Sequence, residues 1–276
     1  MTLHPWRQAN VAFPDWDHAE ATALKHLVPL LHHAQAEGAV TPWFHVRKSP
    51  CWRVRYQPGP SGHSHISTGL DVLTTRGHIT GWTEVIYEPE VHAFGGGAAM
   101  DAAHRLFHAD SHHLTTQLRA DGGRHRRETS LLLCTLLMRS AGLDWYEQGD
   151  VWARVGEHRG PPAATNAGHG PKLLHAVSRL ISVDTEEMLR SEGALAHLAR
   201  WAHAYSDTGT ALAHLNSAGQ LHRGLRDVLA HHVIFAWNRI GLSQPAQAEL
   251  ATAARTVIFG PDPTTDGRPE NRVETA

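Results

Sequence analysis

Two runs of alternating residues, WFHVRK (43–48) and CWRVRYQ (51–57), are separated only by Ser49-Pro50. This pattern restricts the fold more than any other in the chain. Period-two alternation on both sides of so short a break predicts a β-hairpin, and it sends odd and even side chains to opposite faces of the sheet. The flanking segments extend the pattern. RQANVAF (7–13) alternates like a strand. DWDHAEATALKHLVPLLHHAQAEG (15–38) begins at a capping Asp15 or Asp17, carries apolar residues at helical spacing, and stops at Gly38, with a kink expected at Pro29. A helix around 63–76 ends at Gly77, and HITGWTEVIY (78–87) reads as a fourth strand. The order β-α-β-β-α-β predicts a ferredoxin-like split unit over residues 1–95.

Beyond residue 96 the period changes to that of helices. Apolar residues at i, i+3, i+4 and i+7 mark helices near 97–120, 126–141, 172–182, 185–219, 221–240 and 244–256, with loops at DGG (121–123) and GPPAATNAGHGP (160–171). The expected class is α+β, with the split unit packed against a mostly helical half (96–260) in a single domain (1–260) and a polar, proline-containing tail (261–276) expected to be disordered.

Composition narrows the function classes. A formal charge of -2 gives no reason to expect a nucleic-acid or membrane-surface partner. Twenty-four histidines are the anomaly, and most must lie on the surface. Cys51 and Cys134 lack the spacing of a zinc site or redox pair, the N-terminal stretch lacks the apolar core of a signal peptide, and no segment is long and apolar enough to span a membrane. A cytoplasmic location is expected.

The polar residues inside these elements are the candidates for chemistry. Alternation places Arg53 and Arg55 on one face of a strand, about 7 Å apart, as a fork for a carboxylate or phosphate; Arg47 on the paired strand would join them if its register agrees. YEPEVHAFGGG (87–97) offers Tyr87, Glu88, Glu90 and His92 as acid, base and donor groups ahead of an irregular glycine turn. His104, His108 and His112 repeat every four residues, but Arg105 stands where a zinc-protease motif needs glutamate, so no metal is expected there. Asp144, Trp145, Tyr146, Glu147 and Asp150 suggest an acidic aromatic turn. In LAHHVIFAWNRIGL (229–242), His231, His232, Asn238 and Arg239 interrupt an apolar helix, and Asn238 and Arg239 are expected to cap loops or line a cleft.

With WFHVRKSPCWRVRY, YEPEVHAFGGGAAMDAAHRLFHADS and HHVIFAWNRIGL in order from about residue 6 to 260, the chain resembles the C-terminal elimination domain of class I lantibiotic dehydratases. It is still more similar to the stand-alone thiopeptide-type bacteriocin biosynthesis proteins. The resemblance implies maturation of ribosomal precursor peptides. In the family's lyases a glutamyl ester on Ser or Thr is expelled as glutamate, leaving dehydroalanine or dehydrobutyrine, without metal or organic cofactor. Arg53 and Arg55 match the family's strand arginines. Ala93 stands where the lyases commonly carry arginine, so that anion contact is either missing or supplied by His92. Ile234 stands where they carry the essential histidine, and helical phase with Asn238 favours His231 as its substitute. The resemblance leaves two alternatives open: a pyridine synthase joining two dehydroalanines by formal aza-[4+2] cycloaddition, or a non-catalytic peptide-binding partner of a larger dehydratase. It implies a precursor peptide and a separate glutamylating subunit as partners, and leaves a homodimer open.

Overall fold

The structure is a computed structural model that describes residues 6–161, 170–190, 192–193 and 195–260. The tail over 261–276 and most of the 160–171 loop lie outside the described residues. The architecture is α+β. Its N-terminal part runs β1 (Arg7–Ala12), α1 (Ala19–Thr22), a π-helical turn (Ala23–Leu27), α2 (Val28–Ala36), β2 (Val40–Lys48), β3 (Cys51–Pro58), α3 (Gly62–Thr75) and β4 (Gly81–Val85). The four strands form one antiparallel sheet in the order β2-β3-β1-β4. The irregularity expected at Pro29 is a π-helical turn immediately before α2. Pro29 then occupies the first turn of α2, where its missing N–H costs little. The strand expected over 78–87 is shorter, because residues 78–80 form the bend leading into β4.

Both faces of the sheet are covered. On one, Val11, Trp43, Trp52, Val54 and Tyr56 pack beneath α1, α2 and α3 with Leu27, Leu31, Ile66 and Leu70. On the other, Phe44 and Val46 join Trp6, Tyr87, Phe94, Met100 and Phe107. Met100 and Phe107 belong to α4 (Gly97–Asp121), which lies against β2. The helical part continues with α5 (Arg126–Ser140), α6 (Trp145–Arg159), α7 (Gly170–Ser182), α8 (Thr185–Leu189), a 3-10 turn (Ala196–Leu198), α9 (Ala199–Ser217), α10 (Leu225–Ile240) and α11 (Gln244–Phe259). The segment expected as one helix over 185–219 is thus three pieces. The acidic aromatic turn expected after residue 143 is instead the start of α6. Asp144 Oδ1 accepts from the Glu147 N–H at 2.8 Å and Glu147 Oε2 accepts from the Asp144 N–H at 3.1 Å, a reciprocal cap that explains the acidic pair.

Two devices weld the halves together. Gly95 and Gly96 have φ of 90° and 113°, and a Cβ would meet Val228 at 2.9 Å from Gly95 and the His222 ring at 3.1 Å from Gly96. Only glycine combines that backbone with that approach. The second device is Glu20, which accepts from Arg47 and bidentately from Arg126 (both contacts 2.9 Å), while Arg126 also donates to the Ile240 carbonyl at 3.1 Å. Among the described residues no helix is long and apolar enough to cross a membrane.

Candidate active site

The register fixes which side chains share a face. Arg53 stands between Asn10 and Val46, and Arg55 between Gln8 and Phe44, so both arginines project toward α4. Arg55 is only 4% exposed. Its Nε donates to Gln8 Oε1 at 2.7 Å, and Gln8 is itself held by donating to Asn10 Oδ1 at 2.9 Å. The guanidinium carbon lies 4.3 Å from the centre of the Tyr87 ring and 5.4 Å from that of Phe44. Among the described residues no carboxylate bonds to it, and its buried Nη1 has no partner. Burial lowers the Arg55 pKa. Tyr87 and Glu90 oppose that shift, while the charges of Arg53 and Arg239 add to it. Arg53 is half-buried and has no hydrogen-bond or ion-pair partner among the described residues. Two cations on one face, neither bonded to a carboxylate among the described residues, favour an incoming anion.

Arg47 does not join them. It pairs in register with Trp52, so it emerges on the opposite face, stacks over Trp52 at 4.8 Å and bonds to Glu20. Arg47 is one residue past Val46, the β2 neighbour of Arg53, and that single step turns it to the other face. Asn238 goes the same way: with Arg47, Trp16, Trp52 and Arg126 it lines a separate cavity of ≈ 420 Å³, and its Oδ1 accepts from Gln247 at 3.0 Å.

One imidazole packs against the same two rings as Arg55, that of His104. Its Nε2 lies 2.9 Å from the Tyr87 hydroxyl, and its ring packs at 5.8 Å from both Tyr87 and Phe44, the two rings that flank Arg55. Burial pushes the Tyr87 hydroxyl up, so it stays protonated at neutral pH. The other histidines of the four-residue series diverge: His108 Nδ1 sits 2.9 Å from the Trp43 carbonyl, and His112 stacks on His32 at 4.9 Å. Glu88, Glu90 and His92 are exposed at the rim, with Glu90 near enough to act on Arg55.

Helix α10 supplies the far wall. Arg239 has no exposed surface; its Nε donates to Asp110, its guanidinium lies 4.5 Å from the centre of Phe107, and both Nη atoms are without a partner among the described residues. Asp110 also accepts from Trp201 at 2.8 Å and Tyr205 at 2.7 Å. His232 is buried between Phe94 and Phe107, its nitrogens unpartnered among the described residues; burial, Arg239 and His231 bring its pKa down to about 3. His231 is not in the arginine pocket. It lies beyond Phe94, at 5.1 Å from His158, with Nδ1 at 3.2 Å from the Asp227 carbonyl. Its pKa is lowered by burial, partly offset by the Asp227 carbonyl, and the charges acting on it come from Arg223, His158 and Asp227, none from the sheet. Two residues that sequence analysis did not single out complete the site. Gln8 is a polar residue in an alternating strand, and Asp110 a carboxylate inside an otherwise buried turn of α4; each carried a signal only as a polar group needing a partner.

A pair of sheet arginines, one of them buried, thus faces two helices across a small antiparallel sheet. A profile of the family described as lantibiotic biosynthesis dehydratase, C-terminal, matches residues 6–258, and the chain belongs to that family. The tRNA-dependent lantibiotic dehydratase MibB from Microbispora sp. 107891 shares the fold with a TM-score of 0.57 and 19% identity, over 94% of this chain and 28% of that one. The chain therefore spans well under a third of that dehydratase. TsrL is similar with a TM-score of 0.63 and 19% identity, over 96% of this chain and 99% of TsrL. TbtD, the pyridine synthase from thiomuracin biosynthesis, gives 0.65 and 11%, over 93% of this chain and 99% of TbtD. No curated protein sequence matches the chain.

Proposed function

We propose that this chain matures a ribosomal precursor peptide by eliminating glutamate from glutamylated Ser or Thr, with Arg53 and Arg55 receiving the departing carboxylate. The observation that carries this is Arg55, a buried cation hydrogen-bonded to neutral Gln8 and, among the described residues, to no carboxylate. In the reaction a base takes the Cα proton, that electron pair becomes the Cα=Cβ bond, and the Cβ–O pair leaves with the glutamate carboxylate. Stabilising that developing anion in a site poor in water is the dominant task, and paired guanidiniums suit it. His104, oriented by Tyr87 beside Arg55, takes the role of base in place of His231. The strand order β2-β3-β1-β4 supports a ferredoxin-like unit as the platform, in one domain over 1–260. The partners in this proposal are the precursor peptide and a separate subunit that glutamylates it.

One observation favours a second activity, pyridine synthesis by cycloaddition of two dehydroalanines: Ile234, a buried aliphatic residue, stands where the resemblance calls for the lyase histidine. Incubating the chain with a glutamylated precursor peptide separates the two. Glutamate release that falls about 100-fold or more in Arg55→Met and His104→Gln, with far-UV circular dichroism unchanged, is the expected result. Ring closure on a dehydrated peptide, without glutamate release, would establish the second activity instead. Loss of release in His231→Gln but not His104→Gln would overturn the choice of base.

A further inference from the structure

Helices α2 and α3 cross closely on the side of the sheet away from Arg53 and Arg55. Gly69 makes this approach: a Cβ there would lie 2.4 Å from Leu30 Cδ1. The helical repeat then decides what meets just beyond the crossing. His33 and Glu37 follow Leu30 along one face of α2, and His65 precedes Gly69 by one turn on α3. His33 Nε2 is consequently 3.2 Å from Glu37 Oε1, His65 Nδ1 is 3.6 Å from Glu37 Oε2, and the two imidazole centres are 5.7 Å apart. One ligand atom from each of the three falls within 4.8 Å of the others.

Glu37 caps the C-terminus of α2. A carboxylate there faces the negative end of the helix dipole, an arrangement that a cation would relieve.

We propose that His33, Glu37 and His65 form a surface site for a divalent transition metal, zinc in the first instance, that clamps α2 to α3. With metal–nitrogen and metal–oxygen bonds of roughly 2.0–2.2 Å, ligand atoms in a tetrahedral shell stand roughly 3.4 Å apart. Each imidazole lies near that spacing from one Glu37 oxygen, His33 at 3.2 Å from Oε1 and His65 at 3.6 Å from Oε2, and the three ligand atoms have to close from within 4.8 Å. The remaining adjustment falls to His33, whose side chain is 64% exposed and able to turn. Two imidazoles and one carboxylate select zinc, nickel or copper over magnesium or calcium, and water completes the shell. The site is structural and lies outside the arginine pocket.

Zinc titration of the full chain by isothermal calorimetry, with thermal unfolding in parallel, tests this. Because the chain holds 24 histidines, the readout is the difference between variants. Wild type is expected to bind one zinc more, at micromolar concentrations, than His33→Gln, Glu37→Gln or His65→Gln, and only wild type is expected to gain in Tm with zinc. His203→Gln removes an equally exposed histidine–carboxylate pair, with Asp207 at 3.3 Å, and should behave as wild type. Equal stoichiometry and equal zinc-induced stabilisation in wild type and the three site variants would overturn the proposal.

Discussion

Asp110→Asn is a sharp test of how the pocket wall is built. The carboxylate has no exposed surface, and it gathers donors from two helices: Trp201 and Tyr205 on α9, Arg239 on α10. Asparagine keeps the shape and one acceptor oxygen but strands the Arg239 guanidinium, already lacking partners for both Nη atoms, as a buried cation. Removing one member of a buried pair costs about 3–5 kcal/mol. An unfolding entropy of about 2.1 cal/mol/K per residue gives a chain of 276 residues about 0.6 kcal/mol/K, so Tm should fall by about 5–9 °C. Scanning calorimetry measures this directly. Adding Arg239→Met removes the stranded charge and should recover most of the loss, since apolar replacement of a buried pair is often neutral. A drop under about 1 °C in the single variant, or a double variant less stable than the single, would refute this account.

Three further outcomes are expected. His232, with a folded pKa of about 3, is neutral at pH 7; below about 6.5 the unfolded chain binds the proton first, so stability is lost as pH falls from 6.5 toward 3, at about 1.4 kcal/mol per unit. His232→Leu should remove that much slope from urea unfolding midpoints between pH 6 and 4, and an unchanged slope would contradict the burial argument. Gly96→Ala forces a side chain to φ 113° and into the His222 ring, and should cost about 1–3 kcal/mol in denaturant unfolding; a loss under about 0.5 kcal/mol would contradict it. Burial alone would raise the Glu20 carboxyl, but Arg126 and Arg47 outweigh it and hold it below its usual range. Glu20→Gln should therefore lower stability by about 3 kcal/mol while glutamate release per folded molecule is unchanged, and a parallel loss of release would place this cluster in the reaction.

Much of this was legible in the chain because it depends on local periods. Alternation in CWRVRYQ alone assigns Arg53 and Arg55 to one face, and the strand and helix order follows from where the period changes. What was not legible depends on pairing register and on contacts far apart in sequence. Arg47 is the exception: the two-residue Ser49-Pro50 link pairs Lys48 with Cys51 and Arg47 with Trp52, and that alone places Arg47 on the face opposite Arg53. The acidic residues at 144–150 were misread for a different reason. The capping signal was present in Asp144 and Glu147, but the aromatic residues between them resemble a turn as much as a first helical turn.

The imidazoles show the same limit from a different side. Helical phase was a sound guide, but Asn238 was the wrong reference, because it faces the cavity shared with Arg47. Arg239 is the member of the pair that turns toward Phe107 and the sheet, and the residue seven positions before it, on the same stripe of α10, is His232. Yet His232 cannot serve as a base at neutral pH without losing most of its basicity to burial and to Arg239. The elimination proposed above therefore draws its imidazole from another element, α4, where His104 Nε2 lies 2.9 Å from the Tyr87 hydroxyl.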